Sequence, residues 1–219
     1  MRKYILVGLL IAFSTAVYAQ SKSFTFVFLN NKPDKEVLSK EKSDSVMQGH
    51  MNNIGQLAKE EKLQAAGPFE GGGGLFIFNT TSIEEAKEWL STDPGVKAKR
   101  WNLEVFPFTP RVGSACAVAE NNDPDGKKYD MVFYQFVRFT PDDNATKEVI
   151  KQHTEYLQKL AKDNLVIAEG TFGEKQGGIL VLKADVTKEI VEADPAIKAG
   201  SLKFEMKKLY IAKGSFCEK

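Results

Sequence analysis

Apolar residues fall along the chain in two successive patterns of the same order. Phe24 to Leu29 is an aromatic, β-branched run that predicts a strand, and Tyr129 to Phe139 predicts its counterpart. A stretch of helical spacing follows each, roughly Lys40 to Glu61 and Lys147 to Asp163. In the later stretch Val149-Ile150, His153, Tyr156-Leu157 and Leu160 recur every three or four residues, which defines one buried face. In the earlier pattern, Leu63 to Ala66 and Leu75 to Phe78 predict two further strands joined by a glycine-rich turn. Thr81-Ser82-Ile83-Glu84-Glu85 is then a capped helix start, with Ala86, Trp89 and Leu90 as its apolar face. The later pattern has a shorter, β-branched stretch at this place, Val186 to Val191. A last strand closes each pattern, Trp101 to Phe108 and Leu202 to Ile211.

The two patterns also share residues, which makes them an internal repeat. His50 aligns with His153, and on the same offset Leu57-Ala58-Lys59 meets Leu160-Ala161-Lys162. That offset also sets Ala65 on Ala168, Gly67 on Gly170 and Phe69 on Phe172. After small shifts in the loops, Gly74 to Phe78 meets Gly178 to Leu182, and Asp93-Pro94 meets Asp194-Pro195. The match runs on through Gly113-Ser114-Ala115-Cys116 and Gly214-Ser215-Phe216-Cys217. The expected fold is therefore α+β, with tandem ferredoxin-like βαββαβ units. Each unit alone leaves one apolar sheet face uncovered. The two are expected to stack these faces as an intramolecular dimeric α+β barrel about a pseudo-two-fold axis.

Residues 23–117 and 129–219 are the expected repeats, with a polar, turn-rich linker at 118–128 containing Asn121-Asn122-Asp123-Pro124-Asp125-Gly126. Ahead of them, Arg2 and Lys3 precede the apolar run Tyr4 to Phe13, and Val17-Tyr18-Ala19 supplies the small residues of a cleavage site. Residues 1–19 read as a signal peptide, since the run is shorter than the roughly 20 residues that span a bilayer. The expected location is periplasmic or secreted, with no membrane association after cleavage.

The chain has 219 residues, 42% of them hydrophobic and 15 of them phenylalanine, enough for two packed units. Its 30 Lys and Arg against 29 Asp and Glu give a net charge of +1, which removes the electrostatic case for a nucleic-acid partner.

The helix histidine, the following Ala66-Gly67-Pro68-Phe69 and the late Asp93-Pro94 resemble the YCII-related domain family. In the later repeat His153, Glu169-Gly170-Thr171-Phe172 and Asp194-Pro195 carry the same resemblance. The order and spacing of these short motifs, met twice, are more telling than any one of them. The resemblance implies a dimeric α+β barrel, an active site with a His and an Asp, and chemistry on small aromatic or lactone-like molecules. No cofactor is expected.

The chain has two histidines, and the repeat makes them equivalent. A histidine titrates near neutrality and works as a general acid or base when a carboxylate orients its ring. Asp93 and Asp194 are the natural partners, each expected at the start of a last strand. His50, Asp93, His153 and Asp194 are thus the candidate catalytic residues, and a small organic molecule is the expected partner. A pocket-lining role for the histidines in a non-catalytic binding module fits the same residues, and Asp before Pro is also a common turn former and helix terminator. Two histidines on separate units do not supply a zinc ligand set. Gly71-Gly72-Gly73-Gly74 lacks the Lys-Ser/Thr and the helix of a phosphate loop and reads as a hairpin connection. In an exported chain Cys116 and Cys217 are candidates for a disulfide. The sequence leaves open whether they reach each other.

Overall fold

The computed structural model describes residues 23–118, 129–143, 145–173 and 176–217. The expected signal peptide and all but the first residue of the expected linker lie outside the described residues. The elements run β1 (Phe24–Asn31), α1 (Lys40–Lys59), β2 (Leu63–Pro68), β3 (Gly74–Phe78), α2 (Ile83–Leu90), α3 (Pro94–Lys97) and β4 (Trp101–Val112). The same order then recurs as β5 (Met131–Pro141), α4 (Lys147–Lys162), β6 (Val166–Thr171), β7 (Gly178–Leu182), α5 (Lys188–Glu192), α6 (Pro195–Lys198) and β8 (Leu202–Ala212).

Local chemistry sets the helix limits. Ser39 Oγ accepts from Lys42 N at the head of α1, Ser82 Oγ from Glu85 N at α2, and Thr146 Oγ1 from Val149 N at α4. Past the ends of α1 and α4 the chain turns left-handed at Glu61 (φ 57°) and Asn164 (φ 59°), where the extended reading to Glu61 stops short. Thr187 makes no side-chain cap bond, and α5 has only five residues.

One expectation needs correcting. Asp93-Pro94 and Asp194-Pro195 do not end a helix or begin the last strand; each opens a one-turn helix, α3 and α6. The proline sits in the first turn, where its missing N–H costs nothing, and the aspartate caps that turn. Asp93 Oδ1 accepts from Gly95 N and Val96 N at 2.7 and 3.1 Å, and Asp194 Oδ1 from Ala196 N at 2.8 Å.

The strands form one antiparallel eight-stranded sheet in the order β2-β3-β1-β4-β6-β7-β5-β8. Besides sharing one inner core between their apolar faces, the two halves hydrogen-bond edge to edge. β4 pairs with β6 through Thr109–Thr171, Pro110–Gly170 and Val112–Glu169. The outermost strands also meet, through a bridge between Phe69 and Leu209 and a bond from Glu70 N to Lys208 O at 2.8 Å. The sheet thus curls back on itself. Glycine permits both seams: a Cβ on Gly67 would run into the carbonyl oxygen of Tyr210, and one on Gly170 into that of Thr109.

Both faces of the sheet are covered, which explains the unbroken apolar runs. Phe24, Phe26 and Phe28 of β1 point inward to a core shared by both halves, while Val27 and Leu29 point outward beneath α1 and α2. In β7 Ile179 and Val181 point inward, and Leu180 and Leu182 lie beneath α4 and α5. Phe172, 1% exposed, is the hub of the inner core, with ring centroids of Phe26, Phe28, Phe106 and Phe108 between 4.8 and 5.9 Å away.

Polar links cross between the halves as well. Arg111 of β4 grips the buried carboxylate of Glu169 on β6, and the Arg138 guanidinium bonds both oxygens of Glu104 at 2.7 and 2.9 Å. Cys116 and Cys217 form a disulfide with a Cα–Cα distance of 5.2 Å, closing a span of 101 residues. The question the sequence left open is answered by this pairing of equivalent tails.

Candidate active site

Each histidine belongs to the inner face of a long helix, and each aspartate heads the one-turn helix packed against it. His50 is 8% exposed and Asp93 is fully buried. A Cβ on Gly49 would stand 2.9 Å from Pro94 Cγ, so the glycine lets α1 close on α3 and brings the pair together. His50 Nδ1 and Asp93 Oδ2 are 2.7 Å apart. His153 Nδ1 and Asp194 Oδ2 are 2.6 Å apart, with exposures of 7% and 1%. The structure thus brings all four sequence candidates together as two pairs.

The division of labour within each aspartate is the same. One carboxylate oxygen takes the helix N–H groups, and the other takes the ring. A carboxylate only accepts, so the proton between the partners sits on Nδ1 and the histidine's Nε2 carries the free lone pair. That tautomer is assigned from the hydrogen-bond network. Such a histidine can take a proton at Nε2, with the aspartate stabilising the imidazolium that results.

The surroundings of the two pairs differ. The His50 ring lies nearly parallel to Phe76 (13°, centroids 5.7 Å) and tilted against the half-buried Trp101 at 4.8 Å. One helical turn beyond His50, Asn53 Nδ2 donates to Thr92 Oγ1 at 2.9 Å, and Thr92 Oγ1 donates to Trp89 O at 2.7 Å. His153 meets Phe139 edge-on at 5.0 Å. One turn beyond it, the Tyr156 hydroxyl donates to Ile190 O at 2.6 Å. Burial raises the Tyr156 pKa above the usual phenol value, and the Asp194 charge adds to this.

Sequence reasoning missed Phe76, Trp101, Asn53 and Tyr156 as site residues. Each sits in a different element from the aspartate, or reads as core or strand by its own pattern. Tyr156 did stand on the helix face of His153, which was the one usable signal. The Gly71–Gly74 run forms the β2–β3 connection and the first residue of β3, with Gly71, Gly72 and Gly73 at positive φ. It packs on Leu29 and Asn31 at the end of β1, and no helix follows it. Among the described residues, no three His, Cys, Asp or Glu side chains cluster to hold a metal. No helix of the described residues is long and apolar enough to cross a membrane.

The chain is similar to several solved structures. An anthrone oxidase-like protein is 12% identical (TM-score 0.46), the alignment covering 87% of this chain and 90% of that one. A putative monooxygenase from Fusobacterium nucleatum subsp. nucleatum ATCC 25586 is 11% identical (TM-score 0.47), with 87% and 92% covered. The siroheme decarboxylase NirDL is 9% identical (TM-score 0.44), with 87% and 71% covered. No curated protein matches the chain. The family comparison is specific: the YCII-related domain matches residues 24–109, the stretch that holds His50, Asp93 and the strands around them.

Proposed function

We propose that the chain is an exported acid–base enzyme acting on a small organic molecule, built from two tandem YCII-related units that form an intramolecular dimeric α+β barrel. One observation carries the reading: a buried aspartate orients the ring of a helix histidine in each half, at 2.7 and 2.6 Å, leaving Nε2 free. The recurrence of the element order, and the two strand seams, support the tandem barrel. The Cys116–Cys217 disulfide supports an oxidising compartment, in line with the signal-like residues 1–19.

In this reading Nε2 of His50 or His153 removes an acidic proton from bound substrate and returns it at another atom, or activates a water. Asp93 and Asp194 hold the tautomer and balance the positive ring. A substrate screen with wild type, His50→Ala, His153→Ala and the double variant tests it. Turnover that survives in the double variant ends the acid–base assignment.

The alternative is a non-catalytic module that binds a small ligand. The low side-chain exposure of His50 and His153, 10% and 9%, favours it, because little of either imidazole is open to a reacting atom.

A further inference from the structure

A large apolar side chain left in water is informative where it adjoins another. Among the described residues, Phe133 and Tyr210 are the two exposed aromatic rings, at 48% and 38%. They are cross-strand partners on β5 and β8, with ring centroids 4.8 Å apart. Met131, also exposed, continues the same sheet face two residues before Phe133. Beside Phe133 lies a surface cavity of about 340 Å³, within the range of small-molecule sites. Glu70, Tyr134, Gln135, Ala184 and Lys208 line the rest of it, and none of them belongs to a histidine pair.

The second seam builds the polar rim of this cavity. The bond from Glu70 N to Lys208 O and the bridge between Phe69 and Leu209 set a residue of the first half beside β8. Glu70 Oε2 and Lys208 Nζ then stand 3.7 Å apart, too far for a hydrogen bond, with both side chains at least half exposed. An exposed pair of this kind contributes little, so both groups are available to a ligand. Gln135 Nε2 donates to Ala184 O at 3.1 Å, and its carboxamide oxygen remains an acceptor.

The fold does not require these side chains, because the other half lacks them. Gln135 pairs with Leu182 and Lys208 as Thr25 pairs with Phe78 and Pro107. Counted from this register, Ser23 stands where Phe133 does, and Thr109 where Tyr210 does. Gly173 follows Phe172 as Glu70 follows Phe69. Thr25 is itself fully buried, whereas Gln135 reaches the cavity wall. Side chains dispensable for the architecture and grouped around one cavity point to a ligand.

The groups define its chemistry. A hydroxyl both donates and accepts, and Lys208 donates where Glu70 and Gln135 accept. The two rim charges cancel, so the rim favours a neutral ligand. The exposed ring faces carry the negative side of the aromatic quadrupole and attract weakly positive C–H groups. A sugar ring combines both features, with C–H groups on its face and hydroxyls at its edge. An open-chain polyol lacks the face, and a bare ring lacks the hydroxyls.

We propose that this cavity binds a neutral saccharide, which lays a C–H face against Phe133 and Tyr210 and directs hydroxyls to Glu70, Lys208 and Gln135. The site needs both halves, since Glu70 comes from the first and the remaining groups from the second.

The full chain is titrated with cellobiose, maltose and N,N′-diacetylchitobiose, followed by saturation-transfer nuclear magnetic resonance. Sorbitol (hydroxyls, no ring face) and 2-methoxytetrahydropyran (ring, no hydroxyls) are titrated beside them. The expected result is saturable, millimolar binding of at least one disaccharide, with saturation passing to its ring C–H protons. Sorbitol and 2-methoxytetrahydropyran should bind about fivefold or more weakly still. Phe133→Ser and Tyr210→Thr install the residues of the other half at exposed positions, and each should weaken the disaccharide about fivefold with circular dichroism unchanged. Glu70→Gln should weaken it while leaving the aromatic platform intact, which keeps the test alive where a ring variant fails to fold. No saturable binding by any of the three disaccharides, sorbitol binding as well as they do, or binding that survives Phe133→Ser unchanged would overturn the proposal. Disaccharide binding lost in the His50→Ala/His153→Ala double variant but kept in Phe133→Ser would also overturn it, by placing the sugar at the histidines. Self-association of the chain that Phe133→Ser abolishes would overturn it too, by assigning the rings to a second copy.

Discussion

His50 and Asp93 are 43 residues apart in the chain and 2.7 Å apart in space, and the aspartate that orients the ring also caps the helix behind it. Two duties on one carboxylate can be separated by mutation. Asp93→Ala removes the cap and leaves Nδ1 of a buried ring unpaired. The expected loss is about 2–4 kcal/mol, from about 1 for the cap and 1–3 for the orphaned donor. Asp93→Asn keeps an oxygen for Gly95 N and Val96 N and should cost clearly less in urea denaturation. It removes the charge that stabilises the imidazolium, so any histidine-dependent turnover should fall by far more than stability does. Equal stability losses in the two variants would contradict the division of labour.

The disulfide closes a 101-residue span, and a loop of that length lowers the entropy of the unfolded chain by the equivalent of about 4–5 kcal/mol. Reduction, or a Cys116→Ser/Cys217→Ser variant, is expected to lower the urea midpoint strongly while leaving the far-ultraviolet circular dichroism unchanged. An unchanged midpoint would mean that the two tails are held by packing alone.

The seams give a third expectation. Gly67→Ala places a methyl group against Tyr210 O at one seam, and Gly170→Ala does so against Thr109 O at the other. At Gly170 the added methyl group also meets the ring of Phe108, and at Gly67 the side chain of Ile211, but the backbone oxygen itself has no rotamer to move to. Each variant should lose about 1–3 kcal/mol, the usual cost of overpacking. Gly55→Ala, where a Cβ meets open space in mid-helix, should be neutral or slightly stabilising. Chemical denaturation of the three variants side by side makes the comparison.

Acid should find the Arg138–Glu104 pair. Hydrogen bonding to Arg138 holds the Glu104 carboxyl below the usual glutamate range, against the opposing effect of burial. Its folded pKa lies below its unfolded one, so its stabilisation is complete above the ordinary value of about 4.3 and is lost as pH falls through the folded value. Wild type and Glu104→Gln should therefore differ most near neutrality and converge in strongly acid solution. A stability gap that does not change with pH would show that the pair contributes no charge-dependent stability.

The strands and long helices were legible because their signals are local. Phe24 to Leu29, Leu75 to Phe78 and the Ser82 cap needed only their own neighbours to be read. The histidine–aspartate pairs were legible for a different reason, since the repeat singled out the same two residue types twice. The one-turn helices were misread because Asp-Pro ends or begins structure with equal ease, and the deciding fact is a neighbouring helix that the sequence does not place. Trp101, Phe76 and Asn53 escaped because their roles depend on contacts between elements: a strand head, a central strand and a helix turn converging on one ring. The disulfide needed the curl of the whole sheet before Cys116 and Cys217 could meet.

Arg138 has one more implication. Its guanidinium carbon lies 4.5 Å over the Phe28 ring, and the strand register gives these two residues the same place in their own halves, opposite Ile179 and Leu75 and opposite Glu205 and Glu104. Two halves of the Phe28 kind would meet with Glu104 facing no guanidinium, and two of the Arg138 kind would press like charges together. The contact therefore acts as a lock and key between unlike halves. An assembly that mated like halves with each other would forfeit it.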